Sequence, residues 1–451
     1  MPFALTAGTG TVGYNGQPKV NPALIQWNGT GASPASGWPV GGNANHVGTL
    51  NGVNNDKSGN LVFEQAAASD TGNNAQGRFT YDEVGYFQFK PYGVYDDTFV
   101  TASGDATNGD CLVGSFSNTP DANGKVACAF GNTANSVHFG RFIPDHFTTA
   151  VAQGGGQVGT FIYNKQPFVL TVTAKNFAGG TTQNYTGGGF SKNTTLSVWD
   201  TSNAAATLAD PRGVLSPPTN FTGMNYNAGP TATPGGLAKL NVLYAFAKLP
   251  SEPVSLWLRA IDVDQVTSKS DLIPGQYEAL LPIRSGRATM TNTFGPETLD
   301  LNIYFRTEYW RNGAWIVNTD DWYTGDESRT VAGTVPTGIT SNSNAVNVTL
   351  TSKSTPSITT CVLDTGKPGL SGVGCATVGD VRKQFKKGIL NGTSANFAGD
   401  FNLWLSAPGV GKRGNLIVTG NVPQWLGTPV SATVIFGARN TPWVYRREVY
   451  R

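Results

Sequence analysis

The residues best suited to bind a ligand lie close together in the last third of the sequence, where aromatic rings stand beside two adjacent carboxylates. They are Trp310, Trp315, Asp320, Asp321, Trp322 and Tyr323. Sugars bind proteins by stacking their apolar faces on such rings, while carboxylates and amides take the hydroxyls. The cluster therefore indicates a contact with a glycan. The alternative is that cross-strand aromatic pairs only stabilise a hairpin, and the sequence alone favours that alternative.

A second candidate site is a short acidic run that resembles the start of a calcium loop. Its oxygen ligands would be Asp105, Asn108 and Asp110, placed around a glycine. The run lacks the spacing and the closing glutamate of an EF-hand, so an Asx-rich turn is the preferred interpretation. The sequence predicts no cofactor; a structural calcium ion at this run is the one alternative.

Catalytic chemistry has less support in the sequence. The three histidines lie near no recognisable nucleophile and have no paired metal-binding spacing. A glycosidase needs two carboxylates about 5 to 9 Å apart. The candidate acids are Glu297, Glu308, Asp320, Asp321 and Glu327, and nothing in the sequence brings any two together. The chain is therefore predicted not to be an enzyme.

The four cysteines form two locally spaced pairs, Cys111 with Cys128 and Cys361 with Cys375. Four cysteines allow three connectivities, but the local one closes loops of about 15 residues, worth about 3 kcal/mol each. Disulfides predict an exported protein, with a signal peptide upstream of this sequence. The alternative is four reduced, buried cysteines in a cytosolic protein.

The elements that must position these residues are strands. Charged residues make up only 13% of the 451, whereas Gly (57) and Pro (26) are plentiful, as in many short strands joined by turns. Apolar residues alternate with period two through most of the chain. The net charge of +2 gives no field that would attract nucleic acid, and no apolar run is long enough to insert in a membrane.

Several turns and breaks can be assigned from local signals. Asn312-Gly313 predicts a two-residue β-hairpin turn, and Asn164-Lys165 is a second candidate for one. Pro144 should end one strand and let another begin. The only helix candidate is 381–390, where apolar residues recur every four. The expected fold is therefore all-β, with at most one short helix and long loops.

Spaced short strands with turn clusters between them are typical of immunoglobulin-like β-sandwiches. With about 150 residues per domain, three such units in tandem are expected. The predicted boundaries give an N-terminally truncated sandwich over 1–142, an immunoglobulin-like sandwich over 143–283 and a C-terminal sandwich over 284–451. Cutting the chain at the first boundary is expected to leave two fragments that each fold.

Five segments, taken in order, resemble one known family. They are Gly140–Phe147, Gly286–Glu297, Arg306–Asp321, Leu403–Gly409 and Tyr445–Tyr450. Together they are similar to the C-terminal region of the MshQ-like proteins, biogenesis and surface proteins of the mannose-sensitive haemagglutinin (MSHA) type IV pilus. That region is a domain of unknown function, so the resemblance implies export and a place on or near a pilus, and it transfers no catalytic residue.

One departure from the family bears on the disulfides. Family members usually carry a cysteine a few residues after the Asp-Asp pair, whereas this chain has Trp322-Tyr323-Thr324. The resemblance therefore implies that the usual bridge is absent or rearranged, which leaves Cys361 and Cys375 to pair with each other.

The predicted function is that of an exported, non-enzymatic surface component of an MSHA-like type IV pilus system, acting in pilus biogenesis or as a tip-located adhesin. Its expected partners are pilin or other pilus subunits and cell-surface glycans. The alternatives are a carbohydrate-binding lectin module and a carbohydrate-active enzyme.

Overall fold

A computed structural model describes most of the chain. The described residues are 2–9, 12–27, 46–53, 61–67, 73–97, 111–152, 161–187, 190–201, 212–216, 220–231, 235–321, 324, 334–344, 346–360, 362–363, 375–376, 387–390, 393–396 and 400–437. Strands make up nearly all the regular structure of these residues, beside three single 3₁₀ turns, and none of them forms an α-helix. The predicted all-β fold is confirmed.

The first unit is built from short strands in three small sheets. The strands are β1 (Phe3–Thr9), β2 (Lys19–Val20), β3 (Ile25–Trp27), β4 (Leu50–Gly52), β5 (Asn73–Tyr81), β6 (Gly85–Phe89), β7 (Val94–Asp96), β8 (Phe130–Gly131) and β9 (Phe139–Phe142), with a 3₁₀ turn at Pro22–Leu24. The sheet orders are β1-β5-β4, β2-β7-β8 and β3-β6-β9. Phe63, Phe79, Phe87 and Phe89 lie in the core between them.

The second unit is a sandwich of two facing sheets. Its strands are β10 (His146–Ala152), β11 (Ile162–Tyr163), β12 (Phe168–Lys175), β13 (Thr194–Asp200), β14 (Gly213–Ser216), β15 (Asn220–Phe221), β16 (Leu237–Phe246), β17 (Val254–Asp262) and β18 (Ala279–Arg284), with a 3₁₀ turn at Gly223–Asn225. One sheet has the order β10-β12-β16-β14 and the other β11-β18-β17-β13-β15. Alternate residues of β12 and β17 are buried between the sheets, as in an immunoglobulin-like domain.

The third unit is a second sandwich with a longer central strand. Its strands are β19 (Gly286–Met290), β20 (Thr293–Gly295), β21 (Leu301–Arg311), β22 (Ala314–Val317), β23 (Asn347–Ser352), β24 (Val362–Leu363), β25 (Cys375–Ala376), β26 (Lys387–Leu390), β27 (Thr393–Asn396), β28 (Asp400–Leu405), β29 (Gly414–Asn421) and β30 (Val430–Phe436), with a 3₁₀ turn at Gln424–Leu426. The sheet β19-β21-β28-β24-β25, with β22 beside β21, faces the sheet β20-β30-β29-β23.

The local signals had mixed outcomes. The hairpin at Asn312-Gly313 is confirmed, since Arg311 pairs with Ala314 and the two turn residues have φ of 53° and 74°, as a type I′ turn requires. The break at Pro144 is also confirmed, because β9 ends at Phe142 and β10 begins at His146.

Two of these predictions were wrong. Asn164-Lys165 does not close a hairpin: β11 before it pairs in parallel with β18, whereas β12 after it belongs to the other sheet. The predicted helix over 381–390 fails where it is described, since Lys387–Leu390 is β26 and pairs with β27. The Asn391-Gly392 dipeptide that separates the two strands is itself a hairpin signal, and it outweighs a four-residue apolar spacing.

Candidate functional site at the domain joints

The first joint is built on a strand that serves two hydrophobic cores. All five residues of β6 are buried. Because successive side chains of a strand point to opposite faces, such a strand must be covered on both sides. Phe87 and Phe89 belong to the core of the first unit, whereas Val84 and Tyr86 belong to the core of the second. Tyr86 packs edge-on against Phe190, with 5.7 Å between the ring centres.

A buried carboxylate closes this joint from one side. Glu83 is only 4% exposed and accepts hydrogen bonds from the backbone N–H groups of Val84 at 2.8 Å, Gln183 at 2.9 Å and Asn184 at 3.0 Å. Burial raises the pKa of Glu83 to about 7, although the three N–H donors pull it downward. The side chain therefore ties a loop of the second unit to the first.

Polar contacts extend the same joint at its edges. The amide of Asn184 donates to the carbonyl of His46 at 2.8 Å, and the amide of Asn176 donates to the carbonyl of Asp82 at 3.0 Å. Arg141 forms an ion pair with Asp264. Each contact joins a residue before Pro144 to one after it.

The second joint repeats the arrangement with β11. Ile162 lies in the core of the second unit, whereas Phe161 and Tyr163 on either side of it lie in the core of the third. The Tyr163 ring passes so close to the backbone of Gly286 that a Cβ there would be 2.2 Å from a ring carbon. Only glycine fits at the start of β19 without moving the ring.

The Tyr163 hydroxyl ends in a buried polar network. It donates to Asp321 Oδ2 at 2.7 Å and accepts from Asn318 Nδ2 at 2.6 Å. Asp321 is fully buried and also accepts from the hydroxyl of Thr324 at 2.7 Å and its N–H at 3.0 Å. Burial, together with the Asp321 charge, raises the pKa of Tyr163 well above its usual value, so the phenol stays protonated.

Two charged side chains hold the second joint at the surface. Arg284 donates to Asn318 Oδ1 at 2.6 Å and to Asp320 Oδ2 at 2.7 Å. Its guanidinium also lies over the Phe161 ring, 4.3 Å from the centre. Glu252 accepts the N–H groups of Asn312 at 3.0 Å and of Gly313 at 3.3 Å, and so binds the β21–β22 turn to the second unit.

The predicted glycan-binding cluster is divided by this geometry. Asp320 and Asp321 take part in the second joint, and Asp321 has no surface open to a ligand. Trp310 and Trp315 pair across β21 and β22, with 5.5 Å between ring centres. Trp322 and Tyr323 lie outside the described residues. A glycan contact at the two paired tryptophans stays a prediction.

The other predicted site residues are placed as follows. Cys111 and Cys128 form a disulfide. Cys375 lies in β25, but Cys361 is outside the described residues, so the second bridge stays a prediction. The calcium candidates Asp105, Asn108 and Asp110 are also outside them, and within the described part of the chain no cluster of three metal-binding side chains occurs.

The described candidate acids Glu297, Glu308, Asp320 and Asp321 each have a partner of their own. Glu297 meets Arg413 at 3.3 Å and Glu308 meets Arg287 at 2.6 Å, while Glu327 is outside the described residues. In the described part of the chain, no helix is both long and apolar enough to cross a bilayer.

What the described geometry does provide is two joints in which neighbouring units share strands.

Sequence reasoning missed the residues that make these joints. Glu83 and Tyr163 stood in no motif. One signal was available for Tyr163: the three apolar residues Phe161-Ile162-Tyr163 stand in succession, without the apolar–polar alternation of a half-buried strand.

Comparison with known families agrees with the repeated architecture. A family model described as DUF6701, third domain, matches residues 113–274, and one described as DUF6701, fourth domain, matches residues 284–449. The chain contains the third and fourth domains of the DUF6701 family. The third-domain match begins upstream of the predicted boundary after residue 142, so the DUF6701 unit includes β8 and β9. The predicted boundaries of the three domains stay predictions.

No curated protein matches the chain. Among solved structures, DIP-gamma IG1+IG2 is similar at 8% identity and a TM-score of 0.23, over 64% of this chain and 97% of that one. A tetra-tandem repeat in the extending region of a large adhesion protein is similar at 12% identity and a TM-score of 0.20, over 96% of this chain and 69% of that one. Domains 4–9 of the surface layer protein SbsC are similar at 12% identity and a TM-score of 0.16, over 86% of this chain and 47% of that one. TM-scores this low carry no conclusion about function.

Proposed function

We propose that this chain is an exported, non-enzymatic component of the cell surface that acts as a stiff spacer within an MSHA-like type IV pilus system, in pilus biogenesis or at the pilus tip. The observation that carries the proposal is the sharing of β6 and β11 between neighbouring cores. Domains in tandem move relative to one another by default, unless the interface between them is large and apolar. Here aromatic side chains cross both joints.

Stiffness of this kind suits a protein that carries load or holds a partner away from the cell. To bend the second joint, Phe161 and Tyr163 would have to leave the third core, and the Tyr163 hydroxyl would have to leave a buried carboxylate. Leaving that carboxylate without its donor costs about 1 to 3 kcal/mol or more. The Cys111–Cys128 disulfide supports a place in an oxidising compartment.

The placing of this component in a pilus system rests on the resemblance of five sequence segments to MshQ-like proteins. The non-enzymatic assignment is supported by the contacts of Glu297, Glu308, Asp320 and Asp321, each of which is engaged with its own arginine or tyrosine partner.

The test is to image cells that make the pilus, using gold-labelled antibody against this chain, beside a strain in which its gene is deleted. We expect label on the cell surface, on the fibre or at its tip, and fewer or non-adhesive pili in the deletion strain. Normal, adhesive pili in the deletion strain, together with no label outside the cell, would refute a pilus role.

A further inference from the structure

The outer face of the third unit carries a row of aromatic and charged side chains that the joints do not use. Along β21, Leu301, Ile303, Phe305 and Tyr309 are buried in the core or at the joint. The residues between them point to the opposite side of the sheet. From the end nearer the joint, the outer row of β21 reads Trp310, Glu308, Arg306 and Tyr304.

An aromatic pair forms one end of this row. Trp310 and Trp315 are direct cross-strand partners, with ring centres 5.5 Å apart and ring planes at 71°. Neither ring is fully buried. Two rings at such an angle form a corner, in which a flat apolar ligand can contact one face and one edge.

An ion pair, which carries no net charge, lies next to the tryptophans. Arg287 of β19 is the cross-strand partner of Glu308, and its Nη2 lies 2.6 Å from Glu308 Oε2. The guanidinium also lies over the Trp315 ring, 4.4 Å from its centre. The Arg287 side chain is 43% exposed, so it has N–H groups to offer beyond the ion pair.

A single ring forms the other end of the row. Tyr304 is 39% exposed, and the Arg306 guanidinium lies 4.9 Å from its ring centre. Trp310 lies six positions after Tyr304 along the extended strand, which corresponds to about 20 Å at about 3.3 Å per position. We name this row, with its cross-strand neighbours, the β21 strip; it consists of Trp310, Trp315, Arg287, Glu308, Arg306 and Tyr304.

We propose that the β21 strip binds a linear, uncharged polysaccharide. A sugar ring has an apolar face that stacks on an aromatic ring and a rim of hydroxyls that pair with carboxylate and guanidinium groups. The strip provides both, with aromatic rings at its two ends and charged groups between them. Its length fits a chain of several linked sugars rather than one ring. The Arg287–Glu308 pair cancels its own charge, and Asp400 occupies the cross-strand position opposite Arg306 on β28. The formal charges of these four positions sum to zero, which favours an uncharged chain over an acidic one. This binding goes beyond the proposed pilus function and does not depend on it.

The experiment measures the binding of the full chain to an array of linear gluco-, manno- and galacto-oligosaccharides, with linear uronic acid oligosaccharides alongside. The hits are then titrated by calorimetry. Trp315→Ala and Tyr304→Ala remove the two aromatic ends, and Glu308→Gln keeps the shape but removes the charge. The matched controls are Ile316→Ala, one residue along β22, and Phe294→Ala, an exposed ring on the other sheet.

We expect wild type to bind an uncharged chain of four or more sugars. Trp315→Ala and Tyr304→Ala should each weaken binding about tenfold or more, and the two controls should stay within about twofold. If Trp315→Ala fails to fold, Tyr304→Ala decides the question, because this ring is exposed. Absence of glycan binding by folded wild type, binding to uronic acids alone, or an equal loss in the controls would overturn the proposal. Pilus localisation of the same variants reports on the proposed function separately.

Discussion

Removing the hydroxyl of Tyr163 tests the second joint with the smallest change in shape. Tyr163→Phe keeps the ring in the third core but deprives Asp321 of its 2.7 Å donor and Asn318 of its 2.6 Å acceptor. A hydrogen bond to a charged group contributes about 1.5 to 3 kcal/mol. Both partners remain buried. We therefore expect the free energy of unfolding of the third unit to fall by about 2 to 3 kcal/mol.

The assay is thermal and urea unfolding of the full chain, followed by calorimetry. Because the second and third units are expected to melt together, each kcal/mol shifts the Tm by about 1.5 °C, so a decrease of about 3 to 5 °C is expected. Tyr304→Phe is the matched control, because that hydroxyl belongs to an exposed residue of the same unit. A double-mutant cycle with Asp321→Asn should give a coupling energy above about 1 kcal/mol. If Tyr163→Phe changes the stability no more than Tyr304→Phe does, the joint is not held by this network.

Three further predictions concern pH, the disulfide and the sharing of strands. Because burial raises the pKa of Glu83 from 4.5 to about 7, this carboxyl keeps its proton in the native state at pH values where the unfolded chain has lost it. The free energy of unfolding, measured with urea, should therefore fall by up to about 3 kcal/mol as pH rises from about 4.5 to about 7. Glu83→Gln should flatten that dependence. Replacing Cys111 and Cys128 with serine should lower the stability of the first unit by about 3 kcal/mol, measured by urea unfolding, since their loop spans 17 residues. Fragment 284–451 should melt at a lower temperature than the same unit within 143–451, because it lacks the side chains of Phe161 and Tyr163.

Each of these has an outcome that contradicts it. A pH profile that is the same in wild type and Glu83→Gln would show that this carboxyl does not titrate between the two states. Equal stability with and without the disulfide would mean that the loop it closes is already constrained. Equal melting of the two fragments would show that the third core does not need β11.

The sequence predicted the class of fold because that depends on local signals. Period-two alternation, a β-hairpin dipeptide at Asn312-Gly313 and a strand-breaking Pro144 each act over a few residues, and the structure agrees with each. The same kind of signal gave a wrong answer at Asn164-Lys165. The turn there is real, since the N–H of Gln166 bonds to the carbonyl of Tyr163 at 2.9 Å, but the two strands go to different sheets.

The joints were beyond sequence reasoning because they depend on which faces meet after folding. Nothing local to Glu83 indicates that the N–H groups of residues a hundred positions later converge on it. Asp321 shows the same dependence on tertiary packing. Its place beside tryptophans suggested a ligand contact, whereas tertiary packing buries it against Tyr163. That a cut after residue 142 leaves two fragments that each fold stays a prediction, but the second fragment should be less stable than the same units in the full chain, because the cut removes Val84 and Tyr86 from the second core.

Differential scanning calorimetry of the full chain, compared with the fragments 143–451 and 284–451, tests most directly whether the units are interlocked. Domains that share core strands should unfold as one cooperative transition, so the second and third units are expected to melt together in 143–451. In the full chain, their transition should move to a higher temperature, because Val84 and Tyr86 are restored to the second core. If each unit instead melts in its own transition, at the same temperature in the full chain and in every fragment that contains it, the domains are independent. That result would contradict the sharing of core strands between units.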